Sequence, residues 1–335
     1  MAFLKSITRS VLLPIIRKTH LAEILSSLST NQNLILNYHG VVKNHDASLS
    51  RNHLPIRQFE DQMIYFKRNF EVTTVEEIFK NKSKNNIKRK QLAITFDDGY
   101  LNNLESAYPI LNNLNLPATI FVTGQTLTNP ELPLWYDLLD LLNSKISWNE
   151  LQKELQHFLQ MDISKYESYS AFKNFVKTTT PNFKNELLKL LEKNNRCKLI
   201  FESINKEYWQ LMGPQHLQYI TKNNLIEIGS HGLTHSNLDC LSEADLFNEL
   251  NESRSLLSNC IQKKIDSVAF PDGAYNEIVK SACRNSGYRR MLAVKLKNNA
   301  EKQELDLAPR LSISNTTTSD SIIIQANLSY RKIGF

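Results

Sequence analysis

Four cysteines are spread over 335 residues, and none stands in a Cys-x-x-Cys pair or at metal-ligand spacing. Cys197, Cys240, Cys260 and Cys283 therefore imply neither a disulfide framework nor a thiolate metal site, and a reducing compartment is the simpler setting. Cys240 alone lies near a histidine pair, and there it reads as a small hydrophobe at a helix start. Long hydrophobic runs are also missing near the N-terminus. Residues 10–16 are uncharged but end at Arg17 and Lys18, too short and badly flanked for a membrane span and marginal for a signal peptide. There is no internal repeat and no long low-complexity tract. Aromatic residues are absent from the basic block around Lys80, Lys82, Lys84, Lys88, Arg89 and Lys90, which argues against a nucleic-acid partner. No histidine follows His235.

What is present is ordinary for a soluble globular chain: 41% hydrophobic, 22% charged, with a net charge of +6. Much of the positive excess sits in the lysine block, read as a solvated loop, and in residues 1–30. That N-terminal segment has amphipathic helical spacing, broken at Pro14, and is expected either to lie on a bilayer surface or to cap the domain. Without a good signal peptide the expected location is cytoplasmic, at the inner membrane face, with secretion left open.

Apolar runs predict strands at 34–38, 91–97, 118–123, 226–230, 267–270, 289–294 and 307–314. Helical spacing at 58–68, 74–80, 101–114, 242–261 and 276–285 alternates with them. This alternation predicts an α/β fold with a parallel sheet, a barrel or an open sheet, over residues 31–335. Between about 130 and 222 no strand pattern is present. A structureless loop of that length would be improbable, so a helical insertion is expected, with helices near 132–143, 148–160, 183–194 and 215–223. Its role is either packing or that of a lid or substrate wall.

Chemistry collects at predicted strand ends, where parallel β/α folds place their sites. Thr95-Phe96-Asp97-Asp98-Gly99 ends one strand, and Ser230-His231-Gly232-Leu233-Thr234-His235 ends another. Two adjacent buried carboxylates repel unless a cation or proton intervenes. A metal held by one aspartate and both histidines supplies the cation and leaves the other aspartate free as a base. Two neutral imidazoles and a carboxylate suit Zn²⁺ with open positions for water and substrate, although the ligand set alone also fits non-haem iron.

In order and context these elements resemble the NodB-type polysaccharide deacetylases. The resemblance runs from about Leu34 to Ser314 and leaves the insertion uncovered. It implies a distorted (β/α) barrel, a divalent metal, and removal of N-acetyl groups from sugars. It implies Asp98, His231 and His235 as metal ligands and Asp97 as general base. Phe270-Pro271-Asp272-Gly273 is similar to the family's oxyanion motif, with Asp272 where many relatives carry tyrosine; Tyr275 is the candidate to supply the missing aromatic surface. Ala269 stands where many relatives carry an arginine that tethers the base, and Arg310 is expected to reach the base from another strand end. Many relatives take their acid from a late histidine, absent here. His39, in Tyr38-His39-Gly40, resembles the early Tyr-His element of the poly-N-acetylglucosamine deacetylase branch and is assigned as general acid, with an ordinary pKa near 6.5 suiting that role. His53, His157 and His216 read as surface or structural. Trp135 and Tyr136 read as core packing of the insertion or as a stacking platform for a sugar.

The expected substrate is an N-acetylhexosamine in a surface glycan or its lipid-linked precursor. A deformylase or amidase acting on a lipid-linked amino sugar, an iron oxygenase and a non-catalytic carbohydrate-binding relative are the alternatives. The free Asp97 argues against the oxygenase.

Overall fold

A computed structural model describes residues 33–82, 90–315 and 319–329. The expected N-terminal amphipathic segment and most of the lysine block lie outside the described residues. Among those described, no helix is long and apolar enough to cross a membrane.

The strands are β1 (Asn33–Tyr38), β2 (Gly40–Val42), β3 (His53–Pro55), β4 (Glu71–Thr73), β5 (Gln91–Phe96), β6 (Ala118–Val122), β7 (Ile226–Ser230), β8 (Ser267–Ala269), β9 (Arg290–Ala293), β10 (Leu307–Pro309) and β11 (Leu311–Ser312). Nine of them form one sheet in the order β10-β9-β8-β7-β6-β5-β1-β11, with β4 also on β5, and every pairing is parallel. The predicted final strand, 307–314, is in fact interrupted at Arg310. Its first half pairs with β9 and its second half with β1. One broken strand thus joins the two ends of the sheet, and the sheet is a nearly closed barrel.

Period-two alternation sorts each strand between two cores. Leu34, Leu36, Leu92, Ile94, Ile120, Ile228, Val268 and Met291 face the surrounding helices in the larger cluster. Ile35, Ala93, Phe121, Ala269, Leu292 and Ala308 come one from each of six strands and fill the inside, with Val75 and Ile78 of the helix Val75–Asn81 packed among them. Because both faces are covered, the strands read as unbroken apolar runs. A single large ring, Phe121, occupies much of the interior. Gly229 makes room for it, since a Cβ there would fall 2.4 Å from the ring. The same alternation carries upward: Ala93, Thr95 and Asp97 share the inner face of β5, and Ala308 and Arg310 that of the seam.

The span between β6 and β7 is helical, as the missing strand pattern predicts. It includes Trp135–Lys145, Trp148–Leu159, Tyr169–Lys177, Pro181–Leu188, Asn195–Glu202 and Pro214–Ile220. The helices Tyr169–Lys177 and Asn195–Glu202 are additional to those expected, and the expected helix at 183–194 breaks into Pro181–Leu188 and Leu190–Lys193. These helices bury their own core of Trp135, Leu139, Leu155, Phe172, Leu187 and Phe201, which also takes in Val42 and Leu49. The small β2–β3 sheet is thereby wedged between barrel and insertion.

Gly40 sits at a close approach on that side. A Cβ there would lie 2.1 Å from His53 Cδ2 and 2.8 Å from Asn102 Nδ2. His53 is buried, with Nδ1 paired to Ser50 at 2.7 Å, so it belongs to the structural set and cannot easily yield. Gly40→Ala is expected to cost about 1–3 kcal/mol, the range for overpacking a filled interior. Denaturant unfolding checks this, and a wild-type midpoint would refute the packing account.

Candidate active site

The C-terminal ends of β1, β5, β7 and β8 converge on one cavity of about 780 Å³, with Arg310 of the seam buried behind Asp97. His39 follows β1, Asp97 and Asp98 follow β5, His231 follows β7, Asp272 follows β8, and Arg310 interrupts the seam. Asp97 is anchored by its own amide, which donates to the Tyr38 carbonyl at 2.9 Å. Its carboxylate then receives both arms of Arg310, Nη1 to Oδ1 at 2.6 Å and Nη2 to Oδ2 at 2.8 Å. Arg310 is itself held by Nη1 contacts to Asn37 Oδ1 and Thr95 Oγ1, and its guanidinium lies 5.5 Å from the Phe121 ring centre. The arginine missing at Ala269 is supplied from the seam strand, where the sequence reading placed it. Burial alone would raise the Asp97 pKa, but the charge and hydrogen bonds of Arg310 outweigh it and hold the carboxyl well below the usual range. Asp97 is therefore ionised.

Asp98 is built differently. Its backbone takes φ +76°, a left-handed conformation that costs an L-residue about 1–2 kcal/mol. The turn swings its carboxylate away from Arg310 and towards the histidines: Oδ1 lies 3.6 Å from His231 Nε2 and 3.4 Å from His235 Nε2. Both Asp98 oxygens are buried without a hydrogen-bond partner. Burial first and the neighbouring Asp97 second push its pKa far up. His231 points Nδ1 at the Ala269 carbonyl, 2.9 Å away, so that nitrogen carries the hydrogen and Nε2 is left bare towards Asp98. Burial and the neighbouring His231 push His235 down to about 3, leaving a neutral imidazole. Donor atoms of Asp98, His231 and His235 all lie within 4.8 Å of one another. A buried carboxylate with two orphaned oxygens, beside two neutral imidazoles, fits a divalent cation.

The histidine loop owes its shape to Glu249, which the sequence reading did not single out, and to the Trp135–Tyr136 pair, which it did. Glu249 accepts from the Leu233 and Thr234 amides at 2.7 and 3.1 Å. Trp135, buried in the insertion core, donates its indole N–H to the His235 carbonyl at 3.1 Å, while the Tyr136 ring stands 4.6 Å from the His235 ring and lines the cavity. Only the second of that aromatic pair faces the site. The amphipathic spacing of Trp135–Lys145 marks both as helical but not which wall they meet.

Two expectations need correction. Tyr275 is not at the site: it is fully buried, stacked on Phe270 at 4.8 Å, with its hydroxyl donating to Glu301 Oε2 at 2.7 Å. An aromatic just after a glycine turn packs either way, and here the Phe270 face and the Glu301 acceptor decide. His39 does line the cavity, but its environment is drier than its ordinary pKa assumes. Burial drives it down to about 4, against a partial upward pull from Asp97. Asp272 also lines the cavity, and its carboxylate pairs with Lys177 Nζ at 2.9 Å. Cys240 is exposed, beside Asp239, and outside the donor set.

Fold and site together define a parallel β/α barrel with a two-histidine, one-aspartate donor set at its C-terminal rim. The chain belongs to the polysaccharide deacetylase family: that family's model matches residues 84–157 and 171–291, more than half of the protein, and leaves out only 158–170 of the helical span. The matched curated relative, a Bacillus subtilis (strain 168) protein named as a polysaccharide deacetylase, YxkH, is 32% identical over 98 residues, covering 28% of this chain and 32% of that protein. The match therefore spans about a third of that relative's length. Solved structures share the fold at low identity. The Streptococcus pyogenes deacetylase PplD, in complex with acetate, has a TM-score of 0.55 and 15% identity over 87% of this chain and 96% of its own. IcaB from Ammonifex degensii has a TM-score of 0.56 and 13% identity over 89% and 98%. A de-N-acetylase from Aggregatibacter actinomycetemcomitans has a TM-score of 0.51 and 16% identity over 87% and 98%.

Proposed function

We propose that the protein removes the N-acetyl group from an N-acetylhexosamine of a surface polysaccharide or its lipid-linked precursor, using a divalent metal, Zn²⁺ first, held by Asp98, His231 and His235. The observation that carries this reading is the division of the aspartate pair. One carboxylate is satisfied by Arg310, and the other lies between the Nε2 atoms of two histidines without a hydrogen bond of its own. Family membership supports the substrate class, as does the de-N-acetylase whose fold the chain shares.

When bound, a divalent cation supplies Lewis-acid polarisation of the amide carbonyl. Asp97, kept ionised by Arg310, accepts the proton of the attacking water. An amide nitrogen leaves only when protonated, and His39 is the cavity imidazole outside the donor set that can deliver that proton. It is neutral before substrate enters, and negative charge developing beside it raises its proton affinity. It then takes up a proton from solvent and passes it to the departing nitrogen, while Asp97 holds the proton of water until the product leaves.

The test is acetate release from a panel of N-acetylated oligosaccharides and lipid-linked sugars, with and without chelator. Release that chelation abolishes and Zn²⁺ restores is the expected result. Formate release would move the reading to a deformylase, and turnover indifferent to chelation would sink the metal assignment.

A further inference from the structure

Asp272 is a third carboxylate at the proposed reaction centre, and its charge has a partner. It lies in the turn Pro271–Gly273 at the end of β8, held at φ +53°, and lines the same cavity as Asp97 and Asp98. Its negative charge bears on Asp98, His39, His231 and His235 alike. Water attacking an amide carbonyl places negative charge in this space, and the product acetate is an anion. A bare carboxylate would oppose both, and would compete for a cation seated on the donor set.

Lys177 meets it from the insertion. It ends the helix Tyr169–Lys177, whose Phe172 and Val176 are buried in the insertion core. The helix end is clamped by Lys184, a fully buried side chain whose ammonium donates to the Thr179 and Lys177 carbonyls at 2.8 and 3.4 Å. One turn back, Lys173 is taken up by Asp140 at 2.6 Å. Lys177 is thus presented on a braced helix end, with Asp272 as its partner across the cavity rim.

We propose that Lys177 is a positioning residue for the deacetylation proposed above: it holds the Asp272 carboxylate against the insertion and offsets its charge, so that the cavity accepts the anionic transition state and the acetate product. The inference rests on that functional reading. It makes the helical insertion part of the reaction centre rather than a packing elaboration.

The experiment uses the full zinc-loaded chain, assayed on an N-acetylated oligosaccharide and titrated calorimetrically with acetate. Lys177→Ala is expected to lower kcat by about tenfold with KM little changed, and to weaken acetate binding by a similar factor, the scale of one uncompensated charge nearby. Lys177→Arg should retain both properties. Adding Asp272→Asn to Lys177→Ala should recover most of each loss, because the charge needing a keeper is gone. A double variant as impaired as the single one, or a single variant with unchanged kcat and acetate affinity, overturns the proposal. Should Lys177→Ala fail to fold, Asp272→Asn alone decides: tighter acetate binding supports the proposal, and unchanged or weaker binding refutes it. If the wild type hydrolyses nothing on the panel, the functional reading falls, while the acetate titrations still judge Lys177.

Discussion

Asp97→Asn is expected to lower kcat by about 10²–10⁴, the span that a positioned general base contributes, while affinity for the proposed zinc, to be measured by chelator competition, is expected to stay near wild type. The two readouts separate because the two aspartates have different neighbours. Asp97 is spoken for by Arg310 through both oxygens, and its Oδ2 lies 3.9 Å from His231 Nε2, outside bonding range. Asp98 faces the two histidines, with the Tyr136 and Tyr100 hydroxyls as its other polar neighbours. Asp98→Asn should therefore do the reverse, losing the metal first and the activity with it. A kcat loss under about tenfold in Asp97→Asn would remove the base assignment, since general bases give at least 10². Loss of zinc in Asp97→Asn would make it a ligand instead.

Arg310→Met should cost the fold about 3–5 kcal/mol, because it strands a buried carboxylate without its partner. The Arg310 side chain is wholly buried, so solvent cannot take its place. The pH dependence has a definite sign. In the wild type the Asp97 pKa is depressed, so its contribution to stability is full above the ordinary unfolded value of about 3.9 and is lost as pH falls through the folded value. In the variant, burial dominates and the folded pKa rises above the unfolded one, so the buried charge destabilises at neutral pH and the penalty fades as acid neutralises it. The gap between wild type and Arg310→Met, measured by denaturant unfolding of chelator-treated protein, should be widest near pH 7 and narrow towards about pH 4. A gap independent of pH would mean that the loss is one of packing alone.

Much of this was legible from residue order. Strands such as β5 and β6 are buried on every residue, so they stand out as apolar runs, and the Asp97–Asp98 and His231–His235 elements follow directly from strand ends. Arg310 was legible as a candidate because Pro309 and the strand around it place it at a rim. What was not legible depends on docking. The helix Tyr169–Lys177 carries Lys173 and Lys177 to the cavity only because the insertion folds back over the barrel, and no spacing rule links Lys177 to Asp272 across the chain. The His39 environment was misjudged for the same reason: its ordinary pKa is a property of the residue, while its dryness belongs to the assembled cavity.

The seam strand has a consequence for when this protein can begin to work. Arg310 both interrupts the strand that joins β9 to β1 and supplies the partner of Asp97. A growing chain that has already made Asp97, Asp98, His231 and His235 still has an unclosed barrel and an Asp97 without its Arg310 partner. Both are completed by the same short stretch, Leu307–Pro309 to Leu311–Ser312, which comes after all four of those residues in chain order. Under the proposed function, competence is thus tied to completion of the barrel, and a chain without this stretch would keep Asp98, His231 and His235 but lose the charge that holds Asp97 ionised.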